Sequence, residues 1–108
     1  MQLLTRAIEK ALPPLYTHEG KEPSTVPVVV KFFNPTGAGT WYITEGERDG
    51  DDWRLYGWAD LGMGPGCSEL GYTSLNELKA FRGRFGLGVE RDLYLSPMTL
   101  ADAMAKSR

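Results

Sequence analysis

A chain of 108 residues and 12.0 kDa has room for one domain, residues 1–108, because chains of about this length seldom divide into two cores. Its 42% apolar and 24% charged residues exclude a disordered or fibrous protein. The net charge of -2 and pI of about 5.3 argue against a general nucleic-acid coat or a polybasic membrane binder.

The chain begins with a short helical signal. Thr5 is placed to cap it, Ile8, Ala11 and Leu12 recur at helical spacing, and Pro13 and Pro14 stop it. Arg6, Glu9 and Lys10 interrupt the apolar positions, so the segment lacks the greasy run of a secretion signal. Leu15 and Tyr16 read as anchors to the core, followed by an exposed loop at 19–23. From Val26 the residues Val26, Val28, Val29, Val30, Phe32 and Phe33 are β-branched or aromatic, the composition of a first strand, with Pro27 near its start. A turn-rich connection at 34–39 leads to a second strand at Thr40–Thr44. The polar stretch Glu45–Asp52 with its Asp49-Gly50 dipeptide reads as a hairpin tip before a third strand, Trp53–Asp60.

Leu61–Gly66 holds three glycines and a proline and reads as a flexible connection; it lacks the helix and the Lys-Ser/Thr pair of a phosphate cradle. Glu69–Thr73 is a fourth strand. Ser74 and Glu77 match a capping box for a helix to about Arg82, with Leu75, Leu78 and Phe81 as its buried stripe. Asp92–Leu95 is a candidate fifth strand, and Thr99 caps a last helix to about Lys106. The expected fold is α+β, an antiparallel meander of four to five strands with two to three helices packed on it.

Period-two counting places Trp53, Leu55, Gly57 and Ala59 on one side of the third strand and Arg54, Tyr56, Trp58 and Asp60 on the other. Trp41 and Ile43 join the apolar side, leaving Tyr42 and Thr44 opposite. The second face thus carries Tyr42, Tyr56 and Trp58. Beside it lies an acidic run, Glu45, Glu47, Asp49, Asp51 and Asp52; residues 45–72 hold seven acidic and two basic side chains. The run fits a calcium loop poorly, and its simplest role is a solvated hairpin tip. A contact surface for a basic partner is the sharper reading.

Cys67 is the single cysteine and His18 the single histidine, and nothing in their spacing brings them together as a catalytic pair. A disulfide within the chain is excluded and a thiolate zinc site lacks ligands. No metal or cofactor is expected. No stretch is long and apolar enough for a membrane span, and the expected compartment is the cytoplasm.

The segments Leu3-Leu4-Thr5, Leu12-Pro13-Pro14-Leu15-Tyr16, Glu19-Gly20, Val30-Lys31-Phe32-Phe33, Trp41-Tyr42, Thr44-Glu45-Gly46, Glu69-Leu70-Gly71-Tyr72 and Glu90-Arg91-Asp92-Leu93-Tyr94 resemble, in order, the bacterial plasmid-related family catalogued as domain of unknown function 2958. The resemblance spans nearly the whole chain and departs in the glycine-rich stretch between Asp60 and Glu69. It implies a setting on plasmids, integrated elements and phages and supplies no catalytic residues.

Three functions follow as expectations. The leading one is a non-enzymatic protein-binding module of mobile elements, antagonising host defence (CRISPR or restriction) or assisting transfer, which docks through Tyr42, Glu45, Glu47, Asp49, Asp51, Asp52, Tyr56 and Trp58. The alternative is a small hydrolase or transferase built on Glu45, Glu69, Arg91 and Asp92. Single-stranded nucleic-acid binding is the third; bases stack on such rings, yet Arg54 is the only basic residue of the third strand. A homodimer through an open strand edge is a further expectation.

Overall fold

The computed structural model describes residues 1–62 and 67–107. Its elements are α1 (Arg6–Ala11), β1 (Val30–Phe33), β2 (Thr40–Asp49), β3 (Asp52–Asp60), β4 (Ser68–Ser74), α2 (Leu75–Ala80), β5 (Glu90–Arg91) and α3 (Leu100–Ala105). All strands are antiparallel, in the order β4-β3-β2-β1-β5. This is the α+β meander with three helices, although β5 lies apart in sequence and joins the free edge of β1.

Each α-helix starts where a hydroxyl was available to cap it. Thr5 accepts from the Ile8 N–H at 3.2 Å, Ser74 from the Glu77 N–H at 3.2 Å, and Thr99 from the Asp102 N–H at 3.2 Å. The reciprocal half of the capping box closes at Thr99, where Asp102 accepts the Thr99 N–H at 2.8 Å. At Ser74 the second partner is Asp52 of the neighbouring strand, which accepts the Ser74 hydroxyl at 2.5 Å and the Asn76 N–H at 2.9 Å.

Several boundaries differ from the sequence reading. The first strand begins at Val30 because Val26–Val28 runs beside the start of α3, and Val29, donating to the Ile43 carbonyl, leads into the ladder with β2. Val28 donates to the Met98 carbonyl, Leu100 to that of Val26, and Pro27, which has no N–H to give a ladder, bridges Thr99. Residues 45–49 are strand, so the hairpin tip shrinks to Gly50 and Asp51, with Gly50 supplying the positive φ of 62°. The fifth strand is Glu90–Arg91, paired with Phe33 and Phe32; 92–95 is a turn. α2 ends at Ala80 and leaves Phe81 exposed. The connection expected at Leu61–Gly66 lies, from 63 to 66, outside the described residues.

One sheet face carries the main core. Phe32, Ile43 and Leu55 from three neighbouring strands are sealed beneath Leu3, Leu4 and Leu12 at the chain start and Leu75 and Leu78 of α2, with Trp41 and Trp53 packed alongside. Each such side chain removed from water contributes about 1.5–3 kcal/mol. The other face is divided. α3 covers one part, where Val28, Tyr42 and Ala103 form a second small core against Trp58, Leu95 and Met98. The loop after α1 lies over the part beyond it.

The division originates in a β-bulge. The pairing runs Ile43↔Gly57 and then Glu45↔Tyr56, so Thr44 is the extra residue; it is buried and donates its hydroxyl to the Tyr56 carbonyl at 3.3 Å. Strict alternation would put Glu45 on the core face with Ile43. The bulge turns it to the outer face beside Tyr56. Gly57 makes room for it: a Cβ there would stand 1.8 Å from the Tyr42 carbonyl oxygen.

Candidate functional site

On the open part of the outer face a cleft of about 350 Å³ is lined by Tyr16, His18, Lys21, Tyr56, Leu70 and Tyr72, with Glu45 at its base. A larger cleft, about 750 Å³, opens on the opposite side between the N-terminal segment and α2, but its charges, Glu9, Arg48, Asp51 and Lys79 among them, are spread around it without an ion pair. The smaller cleft is where polar groups converge.

Glu45, 3% exposed, is its organising group. Its Oε1 accepts the Tyr16 N–H at 2.9 Å, while Oε2 accepts the His18 N–H at 2.8 Å and faces His18 Nδ1 at 2.9 Å. Glu47 accepts the Leu15 N–H at 3.1 Å, and the Gly46 N–H donates to the Pro13 carbonyl at 3.0 Å. A loop that Pro13 and Pro14 push out of the helix is thereby fastened along β2, and burial of the carboxylate is compensated by three donors. With Nδ1–H turned to Glu45, His18 Nε2 is the ring nitrogen left for a ligand. Tyr16 holds a positive φ of 72° in this loop, a conformation that costs an ordinary residue about 1–2 kcal/mol. Its backbone is the anchor; its ring, expected in the core, is 61% exposed.

Three tyrosines form the wall. Tyr72 meets Tyr56 at 5.2 Å between ring centroids and Tyr16 edge-on at 6.4 Å, and the Arg54 guanidinium lies over the Tyr72 ring at 4.3 Å. Hydrogen bonding with the Tyr16 side chain and partial desolvation push the Tyr72 hydroxyl up to about 12.

The eight residues expected to dock do not share one surface. Tyr42 is 5% exposed beneath α3, and burial, with the Asp60 charge, raises its pKa. Trp58 donates Nε1–H to the Ser107 hydroxyl at 2.9 Å, which donates to Asp60 at 2.8 Å. Glu45 is enclosed, and Asp52 is committed to the start of α2. Glu47, Asp49 and Asp51 are exposed along the hairpin, and Tyr56 lines the cleft. The face that carries these rings is thus only partly open, because α3 and the 13–18 loop each close a section.

The alternative quartet is not assembled. Glu69 is exposed on β4, one edge of the sheet, while Arg91 and Asp92 lie at the other, four strand spacings or roughly 19 Å away. Arg91 donates to the Gln2 and Leu3 carbonyls at 2.6 and 3.3 Å, and Asp92 faces Lys31 at 3.7 Å. The expected carboxylate–arginine cluster therefore does not exist.

A family profile described as "Protein of unknown function (DUF2958)" matches residues 3–106. The chain belongs to this family. No curated protein and no solved structure matches it significantly. The family description assigns no activity, so the site of this member rests on its own geometry. Among the described residues no group of three His, Cys, Asp or Glu side chains is placed to hold a metal, and no helix is long and apolar enough to cross a membrane.

The sequence reading gave His18, Tyr16 and Tyr72 no place in a site: Tyr16 read only as an anchor, and His18 only as too remote from Cys67 to pair with it. His18 meets Glu45 across 27 positions, a pairing with no local signature, and only the bulge brings Glu45 to the side where the loop lies.

Proposed function

We propose that this chain is a non-enzymatic protein-binding module of mobile genetic elements, acting in the cytoplasm, which docks through the open part of its outer face. The carrying observation is the run of contacting rings Tyr16, Tyr72 and Tyr56 on the same face as the exposed carboxylates Glu47 and Asp49, with Asp51 exposed at the hairpin tip. Tyrosines give large, rigid contact area with a polar tip, and acids at the rim steer a basic partner and suppress acidic ones. The family resemblance to plasmid-borne proteins supports a partner in a host defence complex or a transfer apparatus.

The test compares capture of a basic host protein by the wild type, by Tyr16→Ala, and by the triple variant Glu47→Lys, Asp49→Lys, Asp51→Lys. Binding should fall at least about tenfold in Tyr16→Ala, as for a central aromatic contact. The triple variant should lose the salt dependence. Capture unchanged in both would refute the docking surface.

A further inference from the structure

We infer that two copies of this chain pair through β4, joining their sheets into one of ten strands. β4 is an edge: its inner side pairs with β3 over seven residues without a register shift, and among the described residues its outward backbone groups have no partner. Natural edges are blunted by Lys, Pro, bulges or shortness, and Ser68–Ser74 has none of these. Unpaired N–H and C=O groups in extended conformation are satisfied best by another extended strand.

The sequence of β4 identifies the occupant as a second copy. Set antiparallel to its own copy about Gly71, Ser-Glu-Leu-Gly-Tyr-Thr-Ser is self-complementary: apolar side chains meet apolar ones and the one charge does not meet itself, as an isologous contact requires. With the two-fold axis at Gly71, glycine meets glycine, Leu70 meets the Tyr72 of the other copy, Glu69 meets a threonine hydroxyl, and serine meets serine. Leu70 and Tyr72, 39% and 44% exposed, both lie on the outer face and would cover each other across the axis. Glu69 is the only charge on the strand. In this register the two copies of it stand four residues apart, about 14 Å, beyond the screening length of about 10 Å at 0.1 M salt. A register centred elsewhere would break the apolar match. The pairing takes up Leu70 and Tyr72, which also line the cleft, and leaves Tyr16 and the acidic hairpin on each copy; sedimentation reads the pairing alone, so its failure is distinguishable from failure of the docking reading.

The experiment is sedimentation of the full chain over a range of concentrations, with two variants at the axis. Gly71 tolerates a side chain, since a Cβ there meets nothing within 4 Å and its φ is not in the left-handed region. Gly71→Lys sets two like charges face to face, and the dimer should weaken by roughly tenfold or more while the far-UV spectrum stays unchanged. Leu70→Lys, at an exposed position, repeats the test should that variant misfold. Gly71→Cys in a Cys67→Ser background should form a disulfide-linked dimer under mild oxidation, because only this register brings two residues 71 together. A wild type that is monomeric at every concentration overturns the proposal. So does a dimer indifferent to both lysines.

Discussion

At the scale of single residues, Glu45 and Gly57 carry more of this structure than their neighbours. Glu45 satisfies two backbone N–H groups and one imidazole nitrogen from a position with almost no access to water. Removing it strands all three donors, whereas removing His18 strands only part of one acceptor's capacity. Glu45→Ala should therefore lose about 2–5 kcal/mol in a urea titration, and His18→Ala clearly less. Equal losses would mean that the imidazole, not the backbone, is what the carboxylate holds. Gly57→Ala should cost about 3 kcal/mol or more, since the Tyr42 carbonyl lies where the methyl would go and backbone must move to admit it.

Between elements, two aspartates tie helices to the sheet and a third caps its own helix. Asp52 anchors the start of α2 through Ser74 and Asn76, Asp60 reaches Ser107 just beyond α3, and Asp102 completes the cap of α3. Each has a pKa below the ordinary 3.8: the leading cause is the Ser74 hydroxyl for Asp52, the Ser107 hydroxyl for Asp60, and the Thr99 backbone N–H for Asp102. A depressed carboxylate stabilises the fold above its unfolded pKa, and that contribution is lost as pH falls through the lower, folded value. Acid should loosen the helices first, below about pH 4, and Asp52→Asn or Asp60→Asn should flatten the acid limb of a stability profile. An unaltered limb in both variants would remove these aspartates from the account. Elements were legible in the sequence where their signals are local. The hydroxyl caps at Thr5, Ser74 and Thr99 and the alternation of β3 depend on neighbouring residues alone, so each was found where it stands. The bulge at Thr44 was not legible, because one inserted residue leaves the composition of the strand unaltered while reversing the side on which every later residue projects. Nor could the stripe of α3 show which sheet face it would cover. An amphipathic helix requires an apolar surface without specifying one, and Tyr42 and Trp58 supplied it.

For the molecule as a whole, the consequence is a five-stranded sheet with one face sealed and the other shared between a closed section under α3 and an open section of tyrosine rings. The helices are too short to stand alone, six residues each, so their stability comes from docking on the sheet. Leu55→Ala, at the centre of the main core, should cost about 2–5 kcal/mol and lower thermal stability of all elements together, as expected of one cooperative unit. Separate melting of the α3 section would instead make it an independent lid.

The divided outer face is tested most directly by photochemically induced nuclear polarisation of the tyrosine rings in solution, at concentrations where the chain is monomeric. Tyr94, 90% exposed, serves as the reference for a free ring. Tyr16 should be strongly polarised alongside it, and Tyr42 should be silent beneath α3. A polarised Tyr42, or a Tyr16 as dark as the core, would contradict the division on which the docking surface rests.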